Sequence, residues 1–193
     1  MRDDELNILD ICSQGTRALG PGLRYALWTQ GCPFNCKNCI SPESHSTEPN
    51  MIVNIQSLAE DIISNRKIEG LSISGGEPFI QAGKLSILLS IVKKHRPDLN
   101  VLCFTGYVYD ELNWPEAISL LSRIDLLIDG RFQSDSNEGI GLRGSSNQSF
   151  IFLSDALLPY KEELEKGPRK LEVYIGNKDI KTIGIPTKCL DYE

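Results

Sequence analysis

The sequence predicts an α/β fold, a partial (βα) barrel of parallel strands with a C-terminal β-hairpin appendage. Short apolar runs alternate with segments of helical periodicity, and glycine follows most of these runs closely. Strands that alternate with helices form parallel sheets, because each helix carries the chain back to the starting edge. Near the end of the chain two apolar runs flank the turn-forming residues 177–179, which is typical of an antiparallel hairpin.

Four strands and three helices make up the predicted parallel part. The apolar runs that predict strands are 24–30, 71–74, 101–104 and 125–129. Between them, apolar residues recur at helical spacing over 55–63, 85–92 and 112–124. Ligands of such folds bind at the carboxyl ends of the strands, so we expect the site there.

The pattern changes after Gly130. Residues 130–149 are polar and rich in Gly and Ser, and a connection of this length indicates a functional lid. A strand at 150–153, a helix at 156–166 and the hairpin follow. We therefore predict a core over residues 1–149 and a C-terminal α/β extension over 150–193.

Composition narrows the function. Apolar residues make up 40% of the chain, the net charge is −6 and no basic run is interleaved with aromatic residues, so nucleic acid is not an expected ligand. No apolar run approaches the roughly 18 residues that span a bilayer, and the acidic N-terminus differs from a signal peptide. We expect a cytoplasmic protein without a membrane partner.

Three of the six cysteines form a compact motif. Cys32, Cys36 and Cys39 have the spacing C-x3-C-x2-C directly after the first predicted strand. Three thiolates can hold an iron–sulfur cluster that leaves one iron free for a substrate. Zinc is the alternative, because His45 could complete a Cys3His site. The remaining cysteines, at positions 12, 103 and 189, are predicted to be structural.

A second motif follows the second predicted strand. Gly75 and Gly76 allow a backbone to approach a ligand closely, and the carboxylate of Glu77 can bind a cationic amine. The alternative is a strand-to-helix turn in which Pro78 begins the helix. Thr105 and Asp129 end the third and fourth strands, where a hydroxyl and a carboxylate can bind a ribose or an ammonium group.

Together these motifs resemble the signature of the radical S-adenosylmethionine (SAM) superfamily. Within it the chain is similar to the small activating proteins of glycyl-radical enzymes, especially activators of anaerobic ribonucleoside-triphosphate reductase. The further matching stretches are 20–24, 31–32, 104–107, 110–112, 129–132 and 143–148. Asn38 stands where the superfamily often has an aromatic residue, the tail after Gln148 is longer, and no second set of ferredoxin-type cysteines is present.

The resemblance implies a site and a reaction. Cys32, Cys36 and Cys39 would hold one [4Fe–4S] cluster, residues 75–77 would hold the methionyl end of SAM, and Asn38, Thr105 and Asp129 would add contacts to this cofactor. A flavodoxin or ferredoxin would reduce the cluster under anaerobic conditions. The resulting 5′-deoxyadenosyl radical would take hydrogen from a glycine of a partner reductase. A radical SAM enzyme acting on a peptide or small molecule, and a zinc-stabilised interaction module, are the alternatives.

Overall fold

A mixed seven-stranded sheet forms the centre of the protein in the computed structural model, which describes residues 2–175 and 180–187. The strands are β1 (Glu5–Thr16), β2 (Arg24–Thr29), β3 (Met51–Asn54), β4 (Gly70–Gly75), β5 (Asn100–Phe104), β6 (Leu126–Asp129) and β7 (Ser149–Phe152). Their order across the sheet is β3-β1-β2-β4-β5-β6-β7.

The middle of the sheet is parallel, as predicted. Strands β2, β4, β5 and β6 pair side by side in parallel and lie within two residues of the predicted runs. The α/β class and the mostly parallel sheet are therefore confirmed. The sheet has open edges at β3 and β7, so the partial-barrel form stays a prediction.

Two N-terminal strands were not predicted. Strand β1 pairs antiparallel with both β2 and β3, and its register with β2 shifts between Ile8 and Asp10 and again between Cys12 and Thr16. These irregularities, together with the charged residues of the segment, interrupt the alternation by which a strand is recognised.

Three helices cover one face of the sheet. They are α1 (Ile55–Ser64), α2 (Ala82–His95) and α3 (Pro115–Leu121), which confirms the three predicted helices. Asn54 caps α1, because its side-chain oxygen accepts hydrogen bonds from the backbone N–H groups of Gln56 and Ser57. Alternate strand residues such as Leu27, Ile73 and Cys103 pack against these helices in the main core.

The C-terminal segments cover the opposite face. A 3-10 helix (Asp155–Tyr160) that contains Pro159 leads into α4 (Lys161–Lys166), so the helix predicted at 156–166 is partly a 3-10 helix. Leu157 and Leu164 from these segments pack on Leu102 and Ile128 of the sheet. Strand β7, predicted at 150–153 in the extension, pairs antiparallel with β6 and extends the central sheet.

The predicted hairpin is present and forms a separate two-stranded sheet. Strands β8 (Leu171–Ile175) and β9 (Ile180–Gly184) pair antiparallel. The predicted turn at 177–179 and Cys189 lie outside the described residues. Ile183 and Tyr174 pack against Ala18, Leu19 and Ala26, so the hairpin lies on the same face of the central sheet as α4. Whether residues 150–193 form a separate domain stays a prediction.

Across residues 2–175 and 180–187, no helix has the length and apolar character required to cross a membrane.

A wholly buried arginine joins the amino ends of three parallel strands. Arg24 is 0% exposed. Its guanidinium donates hydrogen bonds to Ser72 Oγ at 2.7 Å, to Asn100 Oδ1 at 2.6 Å and to the carbonyl of Leu71. Burial lowers the pKa of Arg24 to about 10, so the side chain remains charged at neutral pH. This group therefore ties β2 to β4 and β5.

We expect the Arg24→Met variant to lose at least about 2 kcal/mol of unfolding free energy, because each buried acceptor left without a donor costs about 1–3 kcal/mol. Urea denaturation followed by circular dichroism measures this loss. Arg66→Met is the control, since Arg66 is exposed, and its midpoint should match that of the wild type. Equal midpoints for all three proteins would contradict the role of Arg24.

Candidate functional site

The carboxyl ends of the parallel strands open into a cavity of about 880 Å³. Trp28, Ser74, Phe104 and Gly130 line it, and each lies at or directly beyond the end of one parallel strand. The cavity faces the hairpin side of the sheet, because residues 181–187 form part of its wall. This is the position at which parallel α/β folds bind ligands.

The three cysteines lie on one loop that lines this cavity. Cys32, Cys36 and Cys39 are all partly buried. Asn35 and Asn38 adopt positive φ angles of 47° and 57°, a conformation that asparagine tolerates better than most residues. These two asparagines allow the loop to turn tightly enough to bring the cysteines to the same cavity.

Burial controls the protonation of these thiols. It raises the pKa of the Cys32 and Cys39 thiols, although backbone N–H groups directed at the sulfur atoms oppose the effect. For Cys32 these N–H groups belong to Phe34 and Asn35, and for Cys39 the group belongs to Ser41. Without a cation both thiols are protonated at neutral pH, and a bound metal would deprotonate them.

The donor set fits an iron–sulfur cluster. Thiolates are the usual ligands of such clusters, and hydrogen bonds to sulfur tune their potential. Within residues 2–175 and 180–187, no three His, Cys, Asp or Glu side chains converge closely enough to hold a single metal ion. A four-iron cluster does not require such convergence, because it binds each thiolate to a different iron.

Residues 75–78, Gly-Gly-Glu-Pro, form a turn at the end of β4 that we call the GGEP turn. Gly75 and Gly76 bring this turn against the backbone that leads into the cysteine loop. A Cβ atom at Gly76 would lie 2.1 Å from the carbonyl oxygen of Gly31, and one at Gly75 would lie 2.3 Å from the backbone nitrogen of Thr29. The N–H group of Glu77 donates to the Gly31 carbonyl at 2.7 Å. We predicted that the two glycines allow a ligand to approach the backbone closely. The structure shows that they also allow the end of β2 to lie against the turn.

Glu77 is completely buried, and both oxygens of its carboxylate accept hydrogen bonds from other groups of the protein. Its Oε1 accepts hydrogen bonds from the Thr105 hydroxyl at 2.8 Å and the Phe79 N–H at 2.9 Å, while Oε2 accepts from the Gly106 N–H at 2.7 Å. Burial raises the pKa of Glu77 to about 7, although these three donors lower it in part. The carboxylate thus joins the GGEP turn to the loop after β5.

This loop also contacts the cysteine loop. The Phe34 ring packs on Gly106 so closely that a Cβ atom there would lie 2.4 Å from the ring. The Phe34 and Tyr107 rings form an edge-to-face pair with their centroids 4.8 Å apart, and the Arg131 guanidinium lies over the Phe34 ring, 4.6 Å from its centroid. The cysteine loop is thereby held against two strand ends.

Two of the three other residues predicted to contact SAM line the cavity. Asn38 and Thr105 line the cavity, together with the three cysteines and residues 75–77. Asp129 is not among the lining residues, and its carboxylate accepts hydrogen bonds from the N–H groups of Tyr109 at 2.7 Å and Ser149 at 3.2 Å. These bonds favour a structural role for Asp129.

The polar segment 130–149 forms another part of the cavity wall. Gly144 and Gln148 line the cavity. Gln148 Oε1 accepts from the Gly144 N–H at 2.7 Å, and its Nε2 donates to the Gly130 carbonyl at 2.7 Å. Arg169 of the extension donates to the carbonyls of Arg143 and Pro186, so the extension braces this segment.

Two residues of the cavity wall, Trp28 and His45, were not among the predicted SAM contacts. Trp28 packs against the core cluster that contains Ala18, Leu19 and Ala26, and it also lines the cavity. The Nζ atom of Lys181 lies 5.3 Å from the centroid of the Trp28 ring. His45, which we considered from the sequence only as a possible zinc ligand, also lines the cavity. Its buried Nε2 has no hydrogen-bond partner in the described part of the chain. Its position six residues after Cys39 was the only sequence signal.

Comparison with known proteins agrees with this geometry. Residues 18–151 match the family model described as a 4Fe-4S single cluster domain. The match includes the cysteine loop, the GGEP turn and the segment 130–149, and it ends before the hairpin.

Curated relatives match the same part of the protein. An anaerobic ribonucleoside-triphosphate reductase-activating protein from Vibrio cholerae is 35% identical over 137 residues, which are 67% of this chain and 87% of the relative. Proteins of the same name from Haemophilus influenzae and Escherichia coli K12 are 35% and 31% identical over 136 and 137 residues, covering 67% of this chain and 87% and 88% of the relatives. The chain therefore belongs to the 4Fe-4S single cluster domain family and, within the radical SAM oxidoreductases, to the activating proteins of anaerobic ribonucleoside-triphosphate reductase.

Proposed function

We propose that this protein binds one [4Fe–4S] cluster, cleaves SAM reductively and installs a glycyl radical on an anaerobic ribonucleoside-triphosphate reductase. The observation that carries the proposal is that the three cysteines, the GGEP turn and Thr105 line one and the same cavity. The names of the relatives support the choice of reductase as the partner. The predicted flavodoxin or ferredoxin reductant is part of the same proposal.

Cys32, Cys36 and Cys39 would hold the cluster. Once reduced by the flavodoxin or ferredoxin, a bound cluster would supply the single electron that cleaves a carbon–sulfur bond of SAM to methionine and a 5′-deoxyadenosyl radical. The chain's own residues position the reactants: the backbone N–H groups of Phe34, Asn35 and Ser41 face the thiolates. The partial burial of the cysteines limits the access of water and oxygen to them.

Ser74, Gly75 and Gly76 present the GGEP turn to the cavity, where the methionyl end of SAM would bind. Glu77 was expected to bind the amine of SAM. The three hydrogen bonds on its carboxylate instead support a positioning role, in which Glu77 fixes Thr105 and Gly106 beside the turn. Thr105 and Asn38 remain the proposed side-chain contacts to SAM. Asp129 is proposed to hold the loop after β5 in place through the hydrogen bond that its carboxylate accepts from the Tyr109 N–H group.

The cysteine assignment is tested by iron and sulfide analysis after anaerobic reconstitution. We expect about four irons per chain in the wild type. Cys32→Ala, Cys36→Ala and Cys39→Ala should each abolish SAM cleavage, whereas Cys103→Ala should retain the cluster because Cys103 lies wholly buried in β5. Stoichiometric zinc without sulfide, or equal loss in all four variants, would refute the assignment.

The position of Glu77 predicts a pH dependence of stability in the metal-free protein. The folded-state pKa of about 7 lies above the ordinary value of 4.5, so the folded protein binds the proton more tightly than the unfolded chain. This contribution to stability is complete below pH 4.5 and is lost as the pH rises through 7. Relative to Glu77→Gln, the wild type should lose on the order of 3 kcal/mol of unfolding free energy over this range.

Urea denaturation at a series of pH values measures this difference. Glu60→Gln is the matched control, because Glu60 lies on the exposed face of α1, and its profile should run parallel to that of the wild type. A Glu77→Gln profile that also runs parallel to the wild type would show that the carboxylate is not desolvated.

The proposed reaction is tested by electron paramagnetic resonance. The reconstituted protein, a chemical reductant, SAM and the anaerobic ribonucleoside-triphosphate reductase of the same organism should together give a glycyl radical on the reductase. Omission of SAM is the control and should give none. Formation of 5′-deoxyadenosine with turnover of a peptide or metabolite, but without a glycyl radical, would favour the alternative substrate class.

A further inference from the structure

One face of the C-terminal hairpin is apolar and exposed. Leu171, Val173, Ile175 and Ile180 are 50%, 59%, 81% and 71% exposed, and they share one side of the two strands. Thr182 pairs with Val173 on the same side, so the face carries no charged side chain among the described residues. Soluble domains usually place polar residues on such a surface, and an apolar patch marks a binding site.

The opposite face fixes the hairpin to the body of the protein. The Tyr174 hydroxyl donates to the Gly15 carbonyl at 3.0 Å, and Glu172 accepts hydrogen bonds from the Thr16 hydroxyl and the Arg17 N–H. Lys181 donates to the Ile11 carbonyl at 3.2 Å. Successive side chains of a strand point to opposite faces. Because the polar residues of both strands point inward to these partners, the apolar residues between them point outward.

The apolar face is continuous with the cavity. Leu171 and Thr182 belong to this face and also line the cavity that contains the cysteines. Ile40, directly after Cys39, is a further exposed apolar residue of the cavity lining, at 52% exposure. A molecule that inserts a segment into the cavity therefore contacts residues that belong to this apolar face.

We propose that this face is the docking surface for the protein that carries the substrate glycine. The inference rests on the proposed function, in which a loop of a partner protein enters the cavity. The partner would then also contact the hairpin face, which adjoins the cavity. Because this face is uncharged, the complementary surface of the partner is an apolar patch next to its glycine loop. The hairpin lies beyond residues 18–151, which match the family model.

The test uses a double variant, Val173→Thr with Ile175→Thr. Threonine keeps the β-branch that suits a strand while it removes apolar contact surface. Neither residue lines the cavity. Ile52→Thr on β3 is the matched control, because Ile52 is also an exposed strand isoleucine, at 40% exposure, and lies outside the cavity lining.

Three quantities are measured on the anaerobically reconstituted proteins: 5′-deoxyadenosine formed without reductase, affinity for the anaerobic ribonucleoside-triphosphate reductase by biolayer interferometry, and the glycyl-radical yield. The double variant should cleave SAM at the wild-type rate but bind the reductase at least about tenfold more weakly. Its glycyl-radical yield should fall at limiting reductase. The Ile52→Thr control should match the wild type in all three.

Two outcomes would overturn the docking surface and leave the proposed function standing. One is wild-type affinity and radical yield in the double variant. The other is a wild-type protein that sedimentation shows to be a dimer and a double variant that is monomeric, which would assign the face to a second copy of the chain. If the wild type binds the reductase through this face but generates no glycyl radical, the proposed function fails while the docking surface stands. If the wild type does not bind the reductase, both fail.

Discussion

The candidate site depends on one buried carboxylate and the donors that surround it. Glu77 joins the turn after β4 to the loop after β5 through Thr105 and Gly106. Gly106 in turn supports the Phe34 ring of the cysteine loop. A charge held at zero exposure costs free energy, and here three hydrogen-bond donors offset that cost in part. The relative positions of the GGEP turn, the loop after β5 and the cysteine loop therefore depend on the hydrogen bonds that this carboxylate accepts.

Glycine at the strand ends has a structural reason besides ligand access. Gly76 allows the GGEP turn to lie against the Gly31 carbonyl, directly before Cys32. A side chain at Gly76 would displace the entry to the cysteine loop, so a substitution there would disturb the proposed cluster site as well as the SAM site. The two motifs that are separated in sequence thus constrain each other through backbone contacts.

Sequence patterns predicted the parallel strands, the three helices and the hairpin, because apolar periodicity reports which face of each element is buried. They did not predict β1, whose register shifts break that periodicity. The cysteine and GGEP motifs located the cavity, since strand ends gather at one edge of a parallel sheet. The partners of Glu77 and the anchoring of the hairpin through Tyr174 and Gly15 depend on contacts between distant residues, which local patterns do not encode.

Hydrogen–deuterium exchange of the metal-free Glu77→Ala variant tests the central claim most directly, because it reports each backbone segment separately. If Glu77 holds the site together, exchange should accelerate relative to wild type in peptides covering residues 31–45 and 104–107. Exchange in α2, which packs in the main core, should be unchanged. Acceleration confined to residues 76–79, with no change in the cysteine loop, would contradict the account.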